Sequence, residues 1–147
     1  MTLKKLQCLV LIAVAGAVAS TGCRNRKAAE CDKFISVIND NGKTIKAASS
    51  KMTGTNDDTK TYEEVAGALE TSAEQIKGVG PKDEKLAGFA KEYEEMLRGG
   101  AQAAREVVKA QGAQDLGALS KAMGEIGKVE TTEATLVAKV NGYCAAE

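Results

Sequence analysis

From Cys31 to Val140 apolar residues return at alternating three- and four-residue steps, and most of those that return are small. That spacing puts them on one face of an α-helix and on no face of a strand, so an all-α fold follows. Large aliphatic and aromatic side chains are scarce. Ile, Val, Leu, Phe and Met supply only 24 of the 125 residues from Cys23 onward, so the core must come from closely approaching, alanine-lined helices. Disorder is the competing reading of such a composition, but it calls for high net charge and abundant proline. This chain has balanced charges and one proline, Pro81.

Four helical segments can be marked. The first spans about 26–50 with Cys31, Phe34, Ile35, Ile38, Ile45 and Ala48 on its stripe, and Asn39-Asp40-Asn41-Gly42 offers a place for it to bend or break. Residues 49–58, rich in Ser, Thr, Gly, Asn and Asp, read as a connection. The second helix, about 58–77, presents Tyr62, Val65, Ala66, Leu69, Ala73 and Ile76. Gly78-Val79-Gly80-Pro81 then stops it, and Pro81 is expected at the first position of a third helix reaching about residue 111. In that helix Leu86, Ala90, Tyr93, Leu97, Gly100, Ala104 and Val107 form the stripe, and Gly99-Gly100 is its weak point. Gly112 marks the turn into a fourth helix, about 114–143, carrying Leu116, Leu119, Met123, Ile126, Val129, Val137, Val140 and Cys144. Long helices with short connections predict an antiparallel up-down four-helix bundle over 31–147, with Gly117, Gly124 and Gly127 turned inward for close approach.

The amino terminus has a different character. Lys4 and Lys5 precede an uninterrupted apolar or small stretch from Cys8 to Ala19, and Ser20-Thr21-Gly22-Cys23 follows. This is the three-part layout of a signal peptide, and its apolar run of about a dozen residues falls short of the roughly 20 that span a bilayer. The segment resembles a bacterial lipoprotein signal. In that resemblance Gly22 is the small residue before the cleavage site and Cys23 the cysteine that takes a diacylglyceryl group and becomes the new amino terminus. It implies a signal segment of 1–22, a short tether of 23–30, and a membrane anchor of two or three acyl chains, which holds stably where one does not. Arg24 stands where an aspartate favours inner-membrane retention, so in a Gram-negative host the resemblance points to the outer membrane, facing the periplasm or the surface. The alternative is a general secretory signal cut after Ala19 or Gly22, which leaves Cys23 an ordinary thiol.

With Cys8 excised and Cys23 acylated, two thiols remain, at the start of the first helix and the end of the fourth. An up-down bundle brings those ends together. In an oxidising envelope a Cys31–Cys144 disulfide is therefore expected, in a structural role, against the rival of free or intermolecular thiols.

Candidate chemistry is sparse. The absence of histidine removes imidazole bases and His-ligated metals. The calcium-loop register through Gly42 puts Val37 and Ala48 where carboxylates are needed. Asp57-Asp58 and Glu63-Glu64 read as helix-start acids rather than a cation site, and Glu92, Glu94, Glu95 and Glu106 as a solvated face with Glu94 and Arg98 paired. Tyr62, Tyr93, Tyr143, Phe34 and Phe89 read as core. Loss of Lys4 and Lys5 leaves 18 basic against 20 acidic residues, and no basic stripe or phosphate-cradling motif implies nucleic acid or nucleotide. The expectation is a noncatalytic envelope lipoprotein with no cofactor, acting as a structural or protein-interaction module with an envelope protein partner. The alternative is a bundle lipoprotein that binds a small ligand or a metal.

Overall fold

A computed structural model describes the backbone of residues 3–52 and 59–146 and the side chains of residues 26–52 and 59–146. Gly22 and Cys23, on which the acylation expectation falls, and Asp57 and Asp58 lie outside the residues whose side chains are described. Four helices, α1 (Leu3–Ser49), α2 (Thr59–Val79), α3 (Glu84–Gly112) and α4 (Leu116–Ala145), form an all-α antiparallel bundle. Among the described residues no helix is long and apolar enough to cross a membrane.

Helix α1 is unbroken through Asn39-Asp40-Asn41-Gly42. The reason is the register: Cys31, Phe34, Ile38, Asn41, Ile45 and Ala48 continue one stripe, and Asn41 occupies an inward position at 2% exposure. Its Nδ2 donates to the Ser72 carbonyl of α2 at 3.3 Å, so the buried amide is satisfied across the interface rather than by ending the helix.

The α2–α3 connection differs from its expectation. Gly80 adopts the left-handed conformation (φ +52°), but Pro81 precedes the helix instead of opening it. Asp83 is the N-cap, its carboxylate accepting the Leu86 N–H at 2.9 Å, and an N-cap carboxylate outweighs the proline preference. Glu30 of α1 accepts the free Lys82 and Asp83 N–H groups at 2.9 and 2.8 Å. These last residues of the predicted tether, Arg26 to Glu30, are thus helical and bonded to the bundle.

Helix α3 lies between α2 and α4 and, among the described residues, is the most fully buried helix. It runs through Gly99-Gly100, and Gly100 is the point of close approach: a Cβ there would stand 3.3 Å from Leu69 Cδ1 and 3.4 Å from Val129 Cγ1. The turn into α4 is made by Gln114 in the left-handed region (φ 55°) rather than by Gly112, which ends α3. Asp115 caps α4, accepting the Ala118 N–H at 2.9 Å.

Helix α4 departs most from its expectation. Its buried residues are Ala122, Leu136 and Val140, while Gly124 and Gly127 are exposed with no atom within 4 Å of where a Cβ would stand. Gly117 would meet only Asp115 of its own cap. The inward role assigned to these three glycines falls instead to Gly100, because the first half of α4 packs mainly along α3 and turns these glycines away from it. Leu116 and Met123 are 79% and 46% exposed.

Candidate functional site

The two ends of the bundle are built differently. At the lower end Cys31 and Cys144 are joined, 113 residues apart in sequence with Cα atoms 5.8 Å apart. Around this clasp Tyr143 donates its hydroxyl to Asp83 at 2.9 Å, packs edge-on against Phe89 with ring centroids 6.0 Å apart, and lies under the Lys27 ammonium at 4.1 Å. Lys27 also donates to the Ala146 carbonyl at 2.9 Å. The Asp83 and Lys82 N–H groups and Arg26 hold the Glu30 carboxyl below its ordinary range. The Leu86 N–H and the Tyr143 hydroxyl do the same for Asp83, and that bond pushes the phenol of Tyr143 up in return.

Between the ends the outer seams are zipped by charge. Arg105 of α3 donates to the Glu70 carboxylate of α2 through both terminal guanidinium nitrogens, and Arg98 of α3 bridges Glu74 of α2 and Glu94 of its own helix. Each pair holds its carboxylate of α2, Glu70 or Glu74, in the charged form. Glu64 is likewise engaged by Lys51 at 2.6 Å. Among the described residues no group of three or more His, Cys, Asp or Glu side chains is arranged to hold a metal ion.

At the upper end the ring of helices is not closed. Helix α1 packs along α2, α2 along α3 and α3 along α4, but α1 and α4 meet only over a short stretch. Above it they part, leaving a slot of about 440 Å³ with α2 and α3 as its floor. The slot is lined by Ile45 from α1, Met52 three residues past its end, Leu69 from α2, Met96 and Leu97 from α3, and Met123, Ile126 and Val129 from α4. Polar groups enter from two sides: Lys46 on the α1 rim, and Glu130 and Glu133 one turn apart on α4. Tyr93, 1% exposed, donates its hydroxyl to Glu133 at 2.8 Å. Burial, reinforced by that carboxylate, pushes the Tyr93 phenol far above its ordinary value, so it stays a donor and fixes Glu133 in the wall. At the mouth Tyr62 reaches toward the Met123 sulfur at 3.5 Å.

The structure brings Cys31 and Cys144 together as the spacing predicts. It leaves Tyr62 and Tyr143 half-buried, one at each end, while Phe34, Phe89 and Tyr93 are core. The slot itself is not visible in the stripe of α4, which looks continuous; the signal that could have found it is the placement of every methionine after Met1 on its walls. No protein-family model, curated protein or solved structure matches this chain.

Proposed function

We propose that this chain is a noncatalytic lipoprotein of the bacterial cell envelope, held to a membrane by acylated Cys23 and acting as a protein-interaction module. The observation that carries the reading is the opposition of the two ends. The chain enters the bundle at Arg26, three residues after Cys23, on the end closed by the disulfide and the Glu30–Asp83–Tyr143 network. The exposed apolar residues Leu116 and Met123 stand at the other end, remote from an anchor at Cys23. A rigid base and an apolar distal face suit a module presented to a partner away from the membrane.

What supports the noncatalytic reading is that, among the described residues, Tyr93, Tyr143, Asp83 and Glu70 are engaged in core hydrogen bonds, a cap and an ion pair, and no nucleophile is set beside a base. Photocrosslinking in cells tests it. A photoreactive side chain in place of Leu116 should give a discrete protein adduct that one in place of the exposed Lys43 does not, and Cys23→Ala should release the protein from the membrane fraction. An unmodified mass at Cys23, or no adduct specific to position 116, would overturn it.

A second reading, a small-ligand module, is favoured by one observation, the slot between α1 and α4.

A further inference from the structure

We infer that the slot between α1 and α4 is a binding site for a small amphiphile with one aliphatic chain and one cationic head, an amine or a quaternary ammonium. This rests on the second reading above and names its ligand class.

The shape selects the aliphatic part. From Gly42 to Ser49 along α1 and from Met123 to Glu133 along α4, at 1.5 Å per residue, the slot is about 10–15 Å long. It is floored by Leu69 and Leu97 and closed beneath by the tight Gly100 contact, so it takes an extended chain rather than a globular molecule. Its apolar lining is mostly aliphatic side chains and methionine. Met52, Met96 and Met123, all the methionines beyond Met1, converge on it from the segment after α1, from α3 and from α4. Unbranched, polarizable thioethers adapt to a chain without a fixed shape, which is the use binding surfaces make of methionine.

The charges select the head. Two carboxylates, Glu130 and Glu133, face one ammonium, Lys46, around the opening. Glu133 is the anchored one: the buried Tyr93 hydroxyl holds it at 2.8 Å and remains a donor. A cation entering with its chain along the α4 wall meets both carboxylates, and the half-burial of Glu133 strengthens the attraction over that in water. An anionic head in the same place meets two like charges.

Methionine-methyl NMR on the full chain in nanodiscs of zwitterionic lipid tests this with three matched probes, octylammonium, octanol and octanoate. Octylammonium should shift the Met52, Met96 and Met123 methyls saturably, at a concentration at least tenfold below that needed by octanoate. The Glu130→Gln/Glu133→Gln variant, which keeps an acceptor for Tyr93, should erase the preference for octylammonium over octanol and leave octanol binding unchanged. Ile126→Trp, which fills the slot from a half-buried position, should abolish the shifts with all three probes while the melting temperature holds.

Octanoate matching octylammonium, or a cation preference that survives the double variant, overturns the proposal while leaving the slot as a ligand site. Shifts that persist in Ile126→Trp, or no saturable shift with any probe, overturn both the proposal and the small-ligand reading.

Discussion

Tyr143, in the last turn of α4, donates its hydroxyl to the same Asp83 carboxylate that caps the first turn of α3, at 2.9 Å to one oxygen and 3.1 Å to the other. One side chain therefore stabilises a helix start and fastens a helix end. Removing only the phenol separates the two roles. Tyr143→Phe keeps the packing on Phe89 and should lower the urea midpoint by removing one hydrogen bond to a charged acceptor. Asp83→Ala also loses the cap and should cost about 1 kcal/mol more. Urea denaturation of the two variants, compared with the parent, measures both.

The Cys31–Cys144 bond closes a loop of 113 residues and is the covalent part of the clasp. Because α1 and α4 meet over so short a stretch, the bond shares the joining of their ends with the Lys27 contacts to Tyr143 and the Ala146 carbonyl. The paired Cys31→Ser/Cys144→Ser variant should lose about 4–5 kcal/mol in the chain-entropy account. Hydrogen exchange should show the loss first in the last two turns of α4, with α2 and α3 protected as before.

Acid should attack the same end. Glu30 and Asp83 have folded pKa values lowered mainly by backbone N–H groups, so each contributes stability that is present above its unfolded pKa and is lost as pH falls through the folded value. The melting temperature should therefore hold at neutral pH and decline from about pH 5 downward as these carboxyls protonate. Glu30→Gln should be less stable than the parent at pH 7, and the gap should narrow by pH 3. A gap that is unchanged at pH 3 would show that the carboxylate charge is not what binds the α2–α3 connection.

The bundle was legible because α1, α2 and α3 each bury one continuous stripe, and periodicity reports a stripe directly. The disulfide was legible because up-down topology alone brings Cys31 to Cys144. What periodicity could not report is how many neighbours a stripe has. Met123 and Ile126 repeat as regularly as Leu86 and Tyr93, yet the former face a slot and the latter a core, a difference set by where α1 diverges from α4. Asn41 misled in the opposite sense. In a turn-like tetrapeptide it reads as a break, but its amide meets a carbonyl on the neighbouring helix, a contact no local pattern encodes.

The glycines carry the most discriminating prediction, since sequence alone treats them alike. Gly124 and Gly127 sit in mid-helix, exposed, with nothing within 4 Å of where a Cβ would stand. Replacing either with alanine removes backbone entropy from the unfolded chain and adds no contact to the folded one, so each should stabilise by about 0.5–1 kcal/mol. Gly100 is buried between α2 and α4, and its added methyl would press on Leu69 and Val129 at 3.3 and 3.4 Å. There the helix-propensity gain is opposed by the cost of moving both side chains. Gly100→Ala should fall below Gly124→Ala in stability, and Gly100→Val, with two further carbons, should destabilise outright by about 1–3 kcal/mol of overpacking. Thermal denaturation of the four variants under one buffer ranks them. Equal gains at positions 100, 124 and 127 would mean that α3 does not approach its neighbours at Gly100 as closely as the bundle requires.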